Sequence, residues 1–385
     1  MIPLSVPNLK GNEEKYVSHA IRSEWISTSG SYVSEFENDI TKYLNVDNAV
    51  ACGSGTAAIH LALRLSGVSV NCEVIVPTVT FIASVNPVKY LGAEPVFMDC
   101  DDSLNMDCTK LEEFLKNECV MTTKGLKNKN TKRYIKALIL VHVFGNMAQV
   151  EKIKELTDKY NIKLIEDAAE ALGTYYNCGK YKGEFAGTIG DFGVYSFNGN
   201  KIITTGGGGM LVGKSPKDIK KAKYLSTQAK DDELYYVHNH IGYNYRMNNL
   251  QAALGRAQFE RLEEFIEIKI RNYNFYKSKI DDIEGLKLLE FNNDARNNHW
   301  FYSLYIDNYS LNRDELLRYF LKNQIQTRPI WKLIHTQRPY IKNQSYKIEK
   351  AVKYYNKVLN VPCSTNLKRE SIEYIIDVLE KVKSN

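Results

Sequence analysis

The chain of 385 residues contains no Cys-x-x-Cys pair. Its seven cysteines, at positions 52, 72, 100, 108, 119, 178 and 363, are odd in number and widely spread. They predict neither a disulfide framework nor a metal site, and free thiols suit a reducing compartment. No uninterrupted apolar run approaches the roughly 18 residues needed to span a membrane. The opening MIPLSVPNLKGNEE lacks the charged-then-apolar pattern of a secretory leader, so a cytoplasmic protein without a membrane partner is expected. Internal repeats and low-complexity linkers are missing too, which predicts domains packed together rather than tethered.

What is present is ordinary globular composition, 44% hydrophobic and 25% charged, with length enough for a full core and a second domain. The formal charge of +6 raises the question of nucleic acid. The clearest basic run, KGLKNKNTKRYIK at 124–136, has neither interleaved aromatics nor zinc spacing. It reads as a polar loop, and no nucleic-acid partner is expected.

Short apolar runs rich in branched and aromatic residues occur at 74–77 (VIVP), 95–98 (PVFM), 137–143 (ALILVHV), 163–165 (KLI) and 193–197 (GVYSF). Between them, 56–65, 82–91 and 148–160 space their apolar residues as helices do. Alternation of this kind needs crossover helices and predicts an α/β fold with a mostly parallel sheet in three layers. The pattern changes near Asn248, where one long amphipathic helix is expected over 248–280. The expected division is a large domain at 1–247 and a smaller α+β domain at 248–385, opened by that connecting helix.

Three segments carry chemistry. ACGSGTAA at 51–58 follows a strand, opens a helix and matches G-x-G-x-x-A. A dinucleotide site would also need an acid at the end of the second strand, whereas Glu73 precedes VIVP. What survives is a helix start with free N–H groups at Gly55, Thr56 and Ala57, suited to a single phosphate or serving only as a tight turn. LIEDAAEALG at 164–173 delivers Glu166 and Asp167 at the carboxyl end of a strand. Such an acid can cap the next helix, or it can hold a pyridine nitrogen protonated so that the ring becomes an electron sink. SFNGNKIITTGGGG at 196–209 lacks the Walker order, and its glycines read as clearance around Lys201. A phosphate turn, a strand-end aspartate and a lysine beside glycines, in that order, form the set a pyridoxal phosphate enzyme needs.

The segments GSGTAAIHLAL, VIVPTVTFIAS, GAEPVFMD, VHVFG, IEDAAEALG, GDFGVYSFNGNK, TTGGGGMLV and GYNYRMNNLQAALGRAQ follow one another along nearly the whole chain. In them the sequence resembles the sugar aminotransferases of the DegT/DnrJ/EryC1/StrS family, pyridoxal 5'-phosphate enzymes of the aspartate aminotransferase fold (fold type I). The resemblance implies that Lys201 is the catalytic lysine, forming the Schiff base and then moving a proton, with pyridoxamine phosphate as intermediate. It also implies Asp167 at the pyridine nitrogen, Glu170 near the ring oxygen and the sugar, and Phe81 stacked on the ring, although core packing would equally account for Phe81. For the phosphate it implies Gly55, Thr56, the Ser196 hydroxyl and Asn244 of a neighbouring subunit, hence a homodimer with shared active sites. Arg328, Trp331 and His335, in TRPIWKLIHTQRPY, are the implied sugar-nucleotide contacts; a connector with a buried tryptophan is the alternative. Lys201 separates the chain from family dehydratases, which have histidine there.

Where most relatives have TTGEGG this chain has TTGGGG, with Gly207 at the glutamate position. That form resembles the branch making 4-amino sugars for legionaminic acid and related bacterial nonulosonic acids of surface glycans. The implied reaction converts the C4 ketone of a UDP- or GDP-linked 4-keto-6-deoxy-2-acetamido sugar to an amine, with L-glutamate as donor and 2-oxoglutarate as by-product. Perosamine-type or C3 transamination is the nearest rival, and a non-catalytic regulator or scaffold the rival of another class.

Overall fold

The computed structural model describes residues 1–383. Seven strands form the body of a ten-stranded sheet: β1 (Ala49–Cys52), β2 (Cys72–Pro77), β3 (Glu94–Met98), β4 (Tyr134–Val141), β5 (Lys163–Asp167), β6 (Phe192–Ser196) and β7 (Gly209–Gly213). Their spatial order is β1-β7-β6-β5-β4-β2-β3, continued by Ser345–Tyr346 beside β3. Neighbours from β6 to β3 are parallel, whereas β7 runs antiparallel to both β6 and β1. Helices cover both faces, so β2 is buried at every position and reads as the unbroken apolar run seen in sequence. This is the aspartate aminotransferase-like α/β arrangement.

A second, antiparallel sheet joins Leu286–Leu288, Tyr302–Ile306, Val358–Val361 and Arg328–Pro329. All its strands come from beyond residue 248. The helix Asn249–Phe259 nevertheless packs on the helices Glu13–Arg22 and Ser31–Leu44 at the other end of the chain.

Three expected elements differ. The helix over 248–280 is two helices, Asn249–Phe259 and Leu262–Ile280. The first starts on a capping box made by Asn248 and Gln251. It ends where the Arg261 N–H bonds back to the Gln258 carbonyl, tightening the turn and redirecting the chain. The segment 82–91 splits at Val85 into a short 3-10 turn, Ile82–Ser84, and the helix Asn86–Tyr90, with Pro87 in its first turn. The basic run is not a loop: Gly125–Asn128 pairs with Cys119–Thr122 as a hairpin. Leu126 and Asn128 point inward while Lys127 between them is only half-buried, the period-two pattern of a half-buried strand.

Asp99, just past β3, fastens the C-terminal segment to the large sheet. Its fully buried carboxylate accepts the Lys110 ammonium at 2.7 Å and the N–H groups of Glu349, Lys350 and Ala351 at 2.8–2.9 Å. Burial alone would raise this carboxyl; the Lys110 and backbone bonds outweigh it and hold it below the usual range. The stabilisation is therefore present above the unfolded value near pH 4 and is lost as pH falls toward the folded one. Asp99→Asn should lower stability by about 3 kcal/mol in urea unfolding at pH 7, and the deficit should shrink at acid pH. An equal deficit at both pH values would contradict this account.

Candidate active site

The carboxyl ends of β2, β4, β5 and β6 open on a cavity of about 380 Å³, where parallel sheets place their ligands. Its far wall comes from the second sheet: Trp300 and Phe301 precede one strand and Trp331 follows another.

The paired acids at the end of β5 part company because alternate residues of a strand face opposite ways. Glu166 turns away and is fully satisfied by His142 Nε2 at 3.0 Å and the N–H groups of Gly187, Ile189 and Gly190. Burial would raise it, but His142 and these N–H groups hold it below the usual carboxylate range. Asp167 faces the cavity and accepts only the Ser84 hydroxyl at 2.6 Å and the Ala169 N–H at 3.1 Å. Burial raises this carboxyl in spite of both bonds. A buried acid aimed into a cavity and lacking a bonded cation fits a protonated ring nitrogen.

Glu170, three residues on, is also buried and raised by burial. Its Oε2 accepts the Phe144 N–H at 2.9 Å and its Oε1 lies 3.3 Å from Lys201 Nζ. The amine thus sits at the cavity wall between this carboxylate and the face of Trp300, whose centroid is 4.1 Å away.

The other end of the cavity is built by the helix Gly55–Leu65. Ser54 caps it by accepting the Ala57 N–H at 3.1 Å, which leaves the N–H groups of Gly55 and Thr56 without a capping side chain. Gly55 touches Ser196, since a Cβ at position 55 would lie 3.1 Å from the Ser196 Cβ. The two N–H groups and the serine hydroxyl therefore converge, as a phosphate requires.

Within the glycine run, Gly209 serves this end, while Gly207 and Gly208 line the cavity together with Lys201. A Cβ at Gly209 would come within 2.6 Å of the Gly55 nitrogen and the Ser54 carbonyl carbon, so only glycine lets β7 pass under the helix start. Gly209→Ala should lower pyridoxal phosphate affinity and cost about 1–3 kcal/mol of stability, read by cofactor titration and thermal unfolding.

Of the other expected residues, Phe81 lines the mouth and is half exposed rather than core. Trp331 reaches the wall and packs on Phe144 with centroids 4.7 Å apart. Arg328 does not reach it: the side chain is exposed and bonds the Thr327 carbonyl. His335 is turned aside as well, bonded to the Thr78 hydroxyl at 2.6 Å in a connector role. Asn244 is exposed, bridges to Thr227 and lies outside this chain's cavity wall. Ser84, Trp300 and Phe301 were missed. Ser84 stood within TFIAS, three residues after Phe81, but nothing in the spacing of 298–301 marked Trp300.

The DegT/DnrJ/EryC1/StrS aminotransferase family matches residues 7–380. The chain belongs to that family. EpsN of Bacillus subtilis (strain 168) is 40% identical over 337 residues, 87% of this chain and 83% of EpsN. GDP-perosamine synthase of Escherichia coli O157:H7 is 35% identical, covering 100% of this chain and 99% of that enzyme. A family aminotransferase from Brucella abortus superposes with a TM-score of 0.87 at 26% identity, over 97% of this chain and 96% of that one. This family member is a pyridoxal-phosphate-dependent nucleotide-sugar aminotransferase. Among its described residues no helix is long and apolar enough to cross a membrane.

Proposed function

We propose that this aminotransferase converts the C4 ketone of a nucleotide-linked 4-keto-6-deoxy-2-acetamido sugar to an amine, with L-glutamate as donor, for a nonulosonic acid such as legionaminic acid. The observation that carries the chemistry is the convergence of Lys201, Asp167 and Glu170 on one cavity closed by Gly55, Thr56 and Ser196. Bound pyridoxal phosphate supplies the electron sink for a carbon that loses or gains a proton. Asp167, oriented by Ser84, holds the proton on the ring nitrogen. Gly55, Thr56 and Ser196 would hold the phosphate, Phe81 would pack on the ring, and Glu170 would meet the ring oxygen. Lys201 Nζ takes the proton from the α-carbon of glutamate and later delivers one to C4 of the sugar. Trp331 is the sugar-side contact the geometry favours over Arg328 and His335. The cofactor-binding part corresponds to 1–247 and the part lending Trp300 and Trp331 to 248–385.

One specific observation favours a second substrate. Two further GDP-perosamine synthases, from Caulobacter vibrioides and Vibrio cholerae, are 35% and 36% identical. A Campylobacter jejuni UDP-4-amino-4,6-dideoxy-N-acetyl-beta-L-altrosamine transaminase, at 29%, bears a 2-acetamido name. A panel of UDP- and GDP-linked 4-keto sugars, with and without the 2-acetamido group, separates the readings. Highest kcat/KM on a GDP sugar lacking that group would replace the first by the perosamine type. Gly207 bears on the same choice, because a Cβ there meets only Gln251 Nε2, at 3.8 Å. Gly207→Glu should fold normally and change the ranking of sugars in the panel.

The enzyme acts as a homodimer in this reading. Leu234, Tyr235, Tyr236 and Ile241 are 76%, 76%, 71% and 88% exposed, an apolar segment that ends beside Asn244. A partner covering it would receive Asn244 at its phosphate. Lys201→Ala and Asn244→Ala proteins, each inactive, should regain about a quarter of parental activity when unfolded and refolded together, since half the dimers then hold one intact site. No recovery would place Asn244 in its own chain's site or outside catalysis.

A further inference from the structure

Lys201 lies in an irregular stretch between β6 and β7, where its own N–H bonds the Asn198 carbonyl. The peptide just before it is held from another part of the chain: Trp300 Nε1 donates to the Asn200 carbonyl at 2.7 Å. The same indole presents its face to Lys201 Nζ at 4.1 Å. Glu170 Oε1 lies 3.3 Å from the same amine, and Asn298 Nδ2 holds the Glu170 main-chain carbonyl at 2.8 Å and that of Leu172 at 2.9 Å. Asn298 Oδ1 in turn accepts the Trp300 N–H at 3.0 Å. Two side chains two residues apart therefore reach both neighbours of one amine.

We propose that Asn298, His299 and Trp300 form a positioning element that holds the Lys201 backbone and amine in the register from which the amine bonds the cofactor. The proposal rests on the reading of Lys201 as the reacting amine. His299 between them takes a left-handed backbone, φ 51°, a conformation uncommon for a residue with a side chain and kept where surroundings enforce it. The surroundings here are specific. The His299 ring packs on Phe291 and Tyr273 with centroids 3.9 and 4.6 Å away. The Trp300 carbonyl accepts the buried ammonium of Lys269 at 2.9 Å, tying the element to the helix Leu262–Ile280. Asn298 packs so tightly on the turn at Gly145 that a Cβ there would lie 1.8 Å from its Oδ1. Burial pushes His299 down to about 3, with Lys269 adding to the effect, so its ring stays neutral throughout the working range.

The reaction explains the need. Lys201 leaves the cofactor in the first half-reaction, serves as a free amine through both, and returns only at the end of the second. A lysine side chain released into a cavity has many rotamers, and a misplaced amine forfeits the advantage of holding reacting groups in register. An aromatic face attracts the ammonium without forming a second ion pair, so the Glu170 carboxylate does not capture it alone.

The test compares Trp300→Leu, which removes the face and the N–H, with Trp300→Phe, which keeps a ring. Each protein is loaded with pyridoxal phosphate and treated with sodium borohydride. Peptide mass spectrometry then gives the fraction of bound cofactor fixed on Lys201, a readout apart from turnover. Trp300→Leu should fix about threefold less than the parent and lose about tenfold in kcat, with KM for glutamate unchanged within about twofold. Trp300→Phe should recover most of the fixation. A folded Trp300→Leu protein with parental fixation and kcat would overturn the proposal, as would a Phe variant no better than Leu. Should the Leu variant not fold, parental fixation and kcat in Trp300→Phe would overturn it, and an intermediate loss would support it. Each of these failures is separate from a failure of the function reading, which is decided by Lys201→Ala.

Discussion

Lys201→Ala should abolish glutamate-dependent 2-oxoglutarate formation, lowering kcat by about 10³-fold or more. In the proposed role lysine does two jobs that no neighbour can take over: its amine would carry the cofactor, and between events it would transfer the proton, a contribution worth about 10²–10⁴-fold by itself. The other groups near Nζ are an acid and an indole, neither of which bears a nucleophilic amine. The variant should still bind pyridoxal phosphate through the phosphate turn and Asp167, but without the visible absorbance of a lysine-bound cofactor. Turnover at the parental rate would show that the catalytic assignment is wrong.

Asp167→Asn should bind the cofactor more weakly and turn over about 10²–10³-fold more slowly, the usual effect of removing an oriented charge from a water-poor site. The amide keeps the shape and the Ser84 partner but carries no charge, so a ring nitrogen beside it loses the reason to stay protonated. Rates of the two half-reactions, followed by the cofactor's absorbance, should fall together because both need the same electron sink. Glu166→Gln is the informative contrast. Its carboxylate is bonded to His142 and three backbone N–H groups behind the strand, so the expected damage is to folding. A loss of kcat at unchanged stability would mean that the roles of the two acids are reversed.

Much of the fold was legible because each parallel strand is buried on both faces and announces itself as a short apolar run. The helices between them were legible where one face alone is apolar. The errors fall where local geometry depends on partners. Nothing in NNLQAALGRAQFERLEEF marks the bend at Glu260 and Arg261; it arises because the first helix lies on the N-terminal helices while the second runs on to the other sheet. The hairpin at 119–128 did carry a signal, the alternation of buried Leu126 and Asn128 with Gly125 and Lys127, and the density of charge around it obscured it.

By itself the sequence determined the kind of chemistry: Gly55 and Thr56 opening a helix, Asp167 ending a strand and Lys201 before the glycines are local features, readable because backbone and strand direction place them. Only the tertiary structure decided why Gly209 must be glycine, that Trp300 stands at the lysine, and that Arg328 and His335 turn away from the cavity. The first two depend on contacts between segments 100 or more residues apart, Gly209 with Gly55 and Trp300 with Asn200. Such contacts are set by how two sheets pack, and a linear pattern does not encode them.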